Sequence, residues 1–344
     1  MTSSTMRAVY LTGFGDYDQL CLRDDAPKPE PATGEVLIRV AAAGVNNTEI
    51  NIRTGWYADD RQDAEDGAKT SDGSNEVVLP RIQGADACGY IEAVGAGVDP
   101  ARIGQRVIVD PTIRSLSQYF GAHRDGSFAE YTTVPSENAC KVESTLSDIE
   151  LASFPCSYST AENLLTRSGV KCRETVLITG ASGGVGSAAV QLAKMRGATV
   201  IAVTVEGKAA TLRGLGADRT LSRHASLVRA LGVNCVDVVI DLAGGPDWPQ
   251  LLEVLRSGGR YASSGAVGGP VVSLDLRTFY FKDLTLFGCT AYPPEVFSHL
   301  IRHIEGGKIK PLVAQVHSLE HIVDAQKAFL KRQHVGKIVL QVSR

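Results

Sequence analysis

A run of apolar residues breaks into a glycine-rich turn and then opens onto a second apolar run between residues 176 and 193, which read VLITGASGGVGSAAVQLA. The first run has the character of a buried strand and the second that of a helix. Glycines at such a junction allow a sharp bend and let the backbone approach a pyrophosphate, whose charge is stabilised at the helix N-terminus. The pattern predicts a dinucleotide site formed by Ser182, Gly183, Gly184, Val185 and Gly186.

Further apolar runs follow this turn at the spacing of β-α-β units. They occupy residues 199–203, 236–240, 259–263 and 284–288. Strands that alternate with helical patterns predict a doubly wound parallel sheet and therefore an α/β fold.

The chain before residue 150 has a different pattern. Short strands, such as residues 6–10, 36–40 and 128–134, are separated by Gly, Pro and Asp, which favours a largely antiparallel, barrel-like domain. Apolar-periodic helices are expected around residues 295–305 and 319–332. A final strand over residues 337–341 is expected to return to the first domain, and ligands favour the cleft between two such domains.

Composition limits the classes of partner. The 344 residues, 44% of them hydrophobic and 21% charged, exceed one typical core and suit a globular protein of two domains. A net charge of -3 argues against a nucleic-acid or anionic-membrane surface. The first residues lack the pattern of a signal peptide, and no apolar run is long enough to span a bilayer, so we expect a cytoplasmic protein without nucleic-acid or membrane partners.

The seven cysteines are odd in number and include no CxxC pair, which fits neither a disulfide framework nor a zinc knuckle. Most are expected to be small buried hydrophobes. Residues 58–75 are rich in acidic and small polar residues and are expected to form a mobile surface loop. That loop is either a lid over the substrate cleft or a solvated insertion with no role.

Several motifs occur together in an order typical of one enzyme family. They are GVNNTE at 44–49, RTGWY at 53–57, GQRV at 104–107, GSFAEY at 126–131, the glycine turn, and GKIVL at 336–340. In these motifs the chain resembles the medium-chain dehydrogenases/reductases, and most closely their zinc-independent quinone oxidoreductase branch. The resemblance implies a discontinuous GroES-like, barrel-type catalytic domain over residues 1–150 and 292–344. It also implies a Rossmann dinucleotide-binding domain over residues 151–291.

The resemblance also identifies the positions that hold a catalytic zinc in other family members. Those members use a Cys, a His and a second Cys, and the corresponding residues here are Asn46, Ala85 and Cys156. An alanine cannot ligate a metal, and an amide oxygen is a poor zinc ligand beside a thiolate or imidazole. The family's supporting acid falls on Asp86, and residues 110–126 lack the cysteines of a structural zinc lobe. We therefore expect no zinc.

The expected loss of the metal changes the chemistry. Without a Lewis acid an alkoxide is hard to stabilise at neutral pH, which disfavours alcohol oxidation. Hydride addition to a conjugated acceptor remains feasible, because one or two donors can stabilise the charge on its oxygen. The main interpretation is an NADPH-dependent oxidoreductase that reduces a small-molecule quinone or α,β-unsaturated carbonyl. The alternatives are a zinc-type alcohol dehydrogenase with a degenerate metal site and a non-catalytic NADPH-binding protein.

Three residues are candidates for the catalytic work. Tyr57 could donate a proton, with packing as the rival explanation. Asn46 could bond to the substrate or to the nicotinamide ribose, or could only hold its turn. Thr48 falls where alcohol dehydrogenases keep a proton-relay hydroxyl, and it could equally bond nearby backbone. Tyr119 and Tyr158 are weaker alternatives for the proton donor.

The end of the second parallel strand decides the choice of cofactor. NAD-specific proteins place an acid about 20 residues beyond the glycine turn, and here that position is Val203, followed by Thr204. Lys208 and Arg223 fall near the phosphate contacts of NADPH-dependent relatives. Glu206 counts against this reading, because its charge could bond the ribose or offset Lys208. We predict NADPH, with NADH as the less favoured cofactor.

The resemblance adds further cofactor contacts and an assembly state. The implied contacts are Thr160, Ala243, Gly265 and Lys337, although a solvated lysine near the C-terminus is an alternative for the last. Residues 284–288 resemble the edge strand through which family members pair their sheets, so we predict a homodimer.

Overall fold

The computed structural model describes residues 4–57 and 77–343, which form two compact units. The first unit takes the described residues up to Cys156, then Pro311–Gln333 and the residues from Lys337 onward. The second unit takes Ser157–Lys310 and His334–Gly336. The proposed lid at residues 58–75 lies outside the described residues.

The strands of the two units are numbered together in chain order. They are β1 (Thr5–Leu11), β2 (Leu20–Pro27), β3 (Glu35–Val45), β4 (Arg81–Ile82), β5 (Cys88–Val94), β6 (Arg106–Val109), β7 (Thr112–Ile113), β8 (Gln118–Tyr119), β9 (Tyr131–Pro135), β10 (Ala139–Lys141), β11 (Thr175–Ile178), β12 (Thr199–Thr204), β13 (Arg219–Ser222), β14 (Val236–Asp241), β15 (Leu255–Ser263), β16 (Thr285–Gly288), β17 (Val313–Ser318) and β18 (Lys337–Gln341).

The α-helices are numbered in the same way. They are α1 (Asn47–Arg53), α2 (Asp148–Leu151), α3 (Pro155–Arg167), α4 (Gly184–Met195), α5 (Ala209–Gly214), α6 (Leu227–Leu231), α7 (Trp248–Val254), α8 (Leu276–Phe281), α9 (Pro294–Glu305) and α10 (Ile322–Leu330). The helices predicted around residues 295–305 and 319–332 correspond to α9 and α10.

Strand β3 organises the first unit. It bonds antiparallel to β5 along most of its length, to β9 over its first half and to β18 over its last residues. A smaller sheet joins β1 to β2 and β4. The predicted antiparallel, barrel-like arrangement is therefore observed, and the last strand, β18, returns to this unit as expected.

Three apolar clusters lie among the described residues of the first unit, and two of them pack its longer strands. One joins β1, β3 and β18 to α10 through fully buried side chains that include Ala8, Val45, Ile338 and Ala325. The other lies between β3, β5, β6 and β9. Strand β9 alternates as a strand with one face on a core does, whereas β3 is buried along almost its whole length.

The second unit contains a six-stranded sheet in the order β13-β12-β11-β14-β15-β16, with every neighbouring pair parallel. Residues 176–178 of β11 and 238–240 of β14 are fully buried. Central parallel strands are covered on both faces, which explains why they read as continuous apolar runs in the sequence. The prediction of a doubly wound parallel sheet is confirmed.

Two details differ from the sequence-based expectations. Residues 292–310, which we assigned to the barrel domain, group with the second unit. The expectation of mostly buried cysteines was wrong, because Cys21, Cys172 and Cys235 are exposed. A small thiol tolerates either environment, and spacing along the chain does not report which one it meets.

Candidate active site

The carboxyl ends of the parallel strands meet along one edge of the second unit's sheet. The strand order runs outward in opposite directions from β11 and β14, so the boundary between them is a topological switch point. Ligands of open α/β sheets bind at such a point, beside the strand ends. The loops that follow β11, β12, β14 and β15 all emerge at this edge.

The glycine turn follows β11 directly. Gly180 has a φ of +56°, a left-handed conformation that suits glycine, and Gly183 is the residue before α4. Gly186 is buried in the first turn of α4, and a Cβ there would lie 2.6 Å from the Cα of Ala181. The predicted residues 182–186 therefore form the turn and the start of the helix, where N–H groups point toward an anion.

A basic pocket adjoins this turn. Lys208 Nζ lies 3.4 Å from the Ser182 hydroxyl oxygen. Burial, and then the charge of Arg223, lower the pKa of Lys208. The backbone N–H of Arg223 donates to the Thr204 carbonyl oxygen at 2.8 Å. Four of the predicted contacts therefore lie close together. They are Ser182 in the turn, Thr204 at the end of β12, Lys208, and Arg223 just after β13.

The basic pocket fits a phosphate group on two observations. Lys208 and Arg223 lie close enough for their like charges to oppose each other, a repulsion that a bound phosphate would relieve. The hydroxyl oxygen of Thr204, a residue only 5% exposed, has no hydrogen-bond partner among the described residues. Buried polar groups are normally satisfied, so this hydroxyl is available to a ligand.

On the other side of the switch point, the loops after β14 and β15 pack backbone to backbone. The N–H of Gly268 donates to the Ala243 carbonyl oxygen at 2.7 Å. A Cβ on Gly265 would lie 3.0 Å from the Leu242 carbonyl oxygen. The predicted contacts Ala243 and Gly265 therefore share one loop cluster, while Thr160 lies half-buried on α3.

Asp241 organises this loop cluster and was not singled out from the sequence. It ends β14, is completely buried, and accepts hydrogen bonds from the Thr179 and Tyr261 hydroxyls. Its carboxylate also accepts from the N–H groups of Ala243 and Gly244. The sequence gives no separate signal for this role, because the same strand also contains Asp237.

The first unit contains a second polar cluster, centred on a buried ion pair. Lys337 Nζ lies 2.7 Å from Asp86 Oδ2 and also donates to the Asn46 side-chain oxygen. The Lys337 and Asp86 side chains are 3% and 0% exposed. Asp86 further accepts from Asn46 Nδ2 at 3.0 Å and from the Cys156 N–H at 2.6 Å. The cofactor contact suggested for Lys337 stays a prediction.

Glu49 extends the buried cluster. Its carboxylate accepts from the N–H of Asn46 at 2.7 Å and from the N–H of Ala85 at 2.9 Å. Burial raises the pKa of Glu49, and the Ala85 N–H and the Lys337 charge oppose that shift. Glu49 belongs to a motif in the sequence, but it was not identified as part of the site.

Cys156 lies beside a phenol. The Tyr119 hydroxyl donates to Cys156 Sγ at 3.4 Å. Burial, together with the nearby charge of Asp86, raises the pKa of the Cys156 thiol to about 12. A thiol in this state is a weak nucleophile, because the thiolate is the reactive form.

Tyr57 follows α1 and is 41% exposed. Its hydroxyl oxygen accepts from Asn51 Nδ2 at 3.1 Å and also interacts with the Thr48 hydroxyl. Partial removal from water raises the pKa of Tyr57, although these two hydrogen bonds oppose the shift. The structure thus brings Thr48 and Tyr57 together and adds Asn51, which sequence reasoning missed.

The Tyr158 hydroxyl is bonded within the protein and is not directed to a substrate site. The Tyr158 side chain is buried, and its hydroxyl donates to the Lys310 carbonyl oxygen at 2.7 Å and accepts from Gln191 Nε2 at 2.9 Å. Both capacities of the phenol are used by the protein itself. Tyr158 is therefore removed from the candidate proton donors.

The residues at the family's zinc positions do not fit a tetrahedral zinc site. Ala85 offers no donor atom and the Asn46 oxygen accepts from Lys337, so Cys156 is the one side chain of the three with a strong zinc-ligand atom. Structural and catalytic zinc sites need three or four Cys, His or carboxylate ligands. Within residues 4–57 and 77–343, no three His, Cys, Asp or Glu side chains are grouped as a metal would require.

In the same described residues, no helix is long and apolar enough to cross a membrane.

Comparison with known proteins agrees with this architecture. Residues 32–144 match the alcohol dehydrogenase GroES-like domain, and residues 184–306 match the zinc-binding dehydrogenase family. Human quinone oxidoreductase is 29% identical, with 97% of each chain covered. Acryloyl-coenzyme A reductase of Metallosphaera sedula is 30% identical over 91% of this chain and 93% of its own.

Solved structures give the same result. The crystal structure of a Sinorhizobium meliloti protein, provisionally described as an alcohol dehydrogenase, is 46% identical and superposes with a TM-score of 0.94. The match covers 99% of this chain and 98% of that one. Fold and site together define an oxidoreductase with a GroES-like domain and a Rossmann domain. The chain belongs to the medium-chain dehydrogenase/reductase superfamily, in its quinone oxidoreductase-like branch.

Proposed function

We propose that this oxidoreductase uses NADPH, without zinc, to reduce a quinone or an α,β-unsaturated carbonyl. The observation that carries the proposal is the buried cluster at the family's metal position. There an alanine replaces one ligand, and Asn46 is bound to Lys337. Acceptors that are already polarised by conjugation do not need a Lewis acid.

The relatives support the class of substrate. One is named a quinone oxidoreductase and another an acryloyl-coenzyme A reductase, at 29% and 30% identity. Quinones and acryloyl thioesters are both conjugated acceptors, which receive hydride at one atom and place the charge on a distant oxygen. We therefore propose for this chain the class of conjugated acceptors, and neither of the two named substrates in particular.

The basic pocket supports the choice of cofactor. Lys208 and Arg223 supply two positive charges beside the glycine turn, and Thr204 supplies a hydroxyl that has no partner in the described part of the chain. A 2′-phosphate would accept charge-assisted hydrogen bonds from such groups, whereas a bare ribose would not use both charges. Thr160, Ala243 and Gly265 remain proposed cofactor contacts. For Lys337, cofactor contact is the alternative to a structural role, since its ammonium is bound by Asp86 and Asn46.

The chain's own residues in the proposed reaction lie on and just after α1. The bound nicotinamide supplies the hydride. Tyr57 is protonated at neutral pH, as tyrosines ordinarily are, and the raised pKa extends that state to more alkaline pH; Asn51 and Thr48 orient its hydroxyl. Tyr57 would pass this proton to the acceptor once negative charge develops there, and solvent would restore it to the exposed phenol.

The test follows loss of nicotinamide absorbance. Protein freed of metal by chelator is mixed with NADPH or NADH and a panel of quinones, enones, enals and simple aldehydes. The proposal expects oxidation of NADPH by conjugated acceptors, with no loss of rate in chelator. Binding of NADPH without oxidation by any acceptor would instead favour the binding-protein alternative.

Alcohol dehydrogenase activity is the second candidate, because the Sinorhizobium meliloti relative carries that description at 46% identity. This reading expects one zinc per chain in metal analysis and oxidation of an alcohol that stops in chelator. A metal-free preparation that still reduces enones would exclude it.

The proton-donor role predicts a large kinetic effect of Tyr57→Phe. We expect turnover of a conjugated acceptor to fall about 100-fold while NADPH binding is retained, since general acids contribute about 10²–10⁴-fold. Because the pKa of Tyr57 is raised, the alkaline limb of the parent's kcat profile should lie above the usual pKa of tyrosine. Stopped-flow kinetics across pH and NADPH fluorescence titration make both measurements.

Tyr119→Phe is the matched control, because it also removes a phenol hydroxyl from the first unit. That change costs one contact with Cys156 and should alter turnover less than threefold, on the order of a single weak hydrogen bond. If Tyr119→Phe loses turnover and Tyr57→Phe does not, the assignment of the donor is reversed.

The homodimer remains a proposal, supported by an apolar surface near the edge of the parallel sheet. Strand β16 pairs only with β15 in the part of the chain that the structure describes. Val271, Leu276 and Phe281 are 87%, 63% and 73% exposed, a concentration that marks interaction surfaces. We expect light scattering at micromolar concentration to show a dimer, and Phe281→Glu to shift it toward monomer. A monomeric parent would contradict the proposal.

We also propose a cytoplasmic location and no nucleic-acid or membrane partner. The net charge of -3 supports this, since both kinds of surface attract basic proteins.

A further inference from the structure

Helix α1 carries two of the groups that contact the Tyr57 hydroxyl, Thr48 and Asn51, and it is only seven residues long. Helices of this length are marginal in isolation, so their position depends on tertiary anchors. The chain after α1 is tied back to it, because the Trp56 N–H donates to the Asn51 carbonyl oxygen at 2.8 Å. Whatever anchors the start of α1 therefore also determines where the Tyr57 hydroxyl lies.

Asn46, the residue just before α1, is one such anchor beside the bonds that Gln83 and Ala85 make to Glu49, and both polar atoms of its amide are hydrogen-bonded. Its oxygen accepts from Lys337 Nζ, and its Nδ2 donates to Asp86 at 3.0 Å and to Glu49 at 3.3 Å. Its backbone N–H donates to Glu49 at 2.7 Å, which ties the residue to the first turn of the helix.

We propose that Lys337 is a positioning residue for the proton donor. Its ammonium, held by Asp86, fixes the amide of Asn46 and hence the start of α1 and the groups around the Tyr57 hydroxyl. Lys337 stands at the beginning of β18, whose next residue, Ile338, pairs with Val45 on β3. The pairing of β18 with β3 therefore places the Lys337 ammonium beside Asn46 at a fixed position along β3.

The charges explain why a lysine is needed in this position. Asp86 is completely buried, and a buried carboxylate without a cation is strongly unfavourable. A neutral partner could satisfy the Asn46 oxygen but would leave the Asp86 charge uncompensated. Lys337 does both at once, so α1 is held through an ion pair that water cannot reach. The inference rests on the proposed function only in treating Tyr57 as the proton donor.

The experiment compares hydrogen exchange and kinetics in three variants of the full chain. Lys337→Met removes the ammonium, and Asp86→Asn/Lys337→Met removes both charges and so preserves folding if the single variant is too unstable. Lys282→Met is the matched control, because Lys282 Nζ is likewise anchored, on the Leu252 and Leu255 carbonyl oxygens of the second unit.

We expect faster exchange in the peptide that spans α1 and Tyr57 for both Lys337 variants, and parent-like exchange there for Lys282→Met. With a conjugated acceptor, kcat should fall about 10- to 100-fold, the usual cost of a small misplacement. The KM for NADPH should change less than about twofold, because binding in the ground state is retained.

Two results would overturn the proposal. One is parent-like exchange over α1 in both Lys337 variants. The other is a raised KM for NADPH with unchanged kcat, which would make Lys337 a cofactor contact instead. If the parent itself reduces no acceptor, the proposed function fails while the exchange measurement still decides the positioning role.

Discussion

Lys208→Ala/Arg223→Ala is expected to lower kcat/KM with NADPH by about 100- to 1000-fold and to leave the value with NADH nearly unchanged. Hydrogen bonds to charged groups are worth about 1.5–3 kcal/mol each, so the loss of two corresponds to about 3–6 kcal/mol, and the expected decrease is the lower part of that range. Steady-state kinetics with both cofactors and one acceptor provide the measurement.

Lys194→Ala/Arg213→Ala is the matched control, since it removes the same two charges from the same unit. Lys194 is paired with Asp218, and Arg213 bonds to Thr220, so neither group is committed to the basic pocket. This variant should keep the parent's preference for NADPH. Equal losses with NADPH and NADH in the Lys208 and Arg223 variant would show that the pocket does not bind a 2′-phosphate.

Gly186→Ala should both destabilise the second unit and abolish cofactor binding. The new Cβ would lie 2.6 Å from the Ala181 Cα and still closer to the Gly180 carbonyl oxygen. Both neighbours are backbone atoms of the turn, so α4 must move away from β11, at a cost of about 3 kcal/mol. Urea unfolding measured by circular dichroism, and NADPH titration by fluorescence, report the two effects.

Gly207→Ala makes the same chemical change where a Cβ meets nothing within 4 Å. Its stability should equal or slightly exceed that of the parent, because alanine has less backbone freedom to lose on folding. If Gly186→Ala binds NADPH as tightly as Gly207→Ala does, the close packing of α4 on the turn is not required for the site.

The proposed reductase has a further consequence for pH. The raised pKa of Tyr57 favours the protonated phenol in the folded protein, and this contribution to stability is present below the usual tyrosine pKa. It is lost as pH rises through the raised value, together with the proton that the reaction needs. Turnover and the free energy of unfolding should therefore both decrease at alkaline pH.

The local sequence pattern was sufficient to predict the parallel sheet of the second unit. A parallel sheet covered on both faces requires continuous apolar strands, which are visible in the sequence. The glycine content of the turn after β11 also indicated a dinucleotide site. The glycine turn and Thr204 could be named in advance because strand ends in such a sheet share one edge. Lys208 and Arg223 were named from the resemblance to NADPH-dependent relatives. Asp241 escaped notice because one acid at a strand end carries no partner information in the sequence.

The first unit depended on contacts between residues far apart in the chain. Lys337 and Asp86 are separated by 251 positions, and no period or motif states that their side chains meet. Tyr158 could not be told from Tyr57 by residue type, because only packing decides whether a phenol is buried on a carbonyl oxygen or left to solvent.

Residues 292–310 show the same division between local and distant information. Helix α9 was recognised from its apolar period, but its period does not say which core receives its apolar face. The sequence motifs were therefore enough to identify the family. The order of strands and helices was enough to predict the edge of the sheet at which a cofactor would bind. The buried ion pair, the anchoring of α1 and the membership of α9 were decided by three-dimensional packing, because burial and charge pairing depend on neighbours that the chain brings together only on folding.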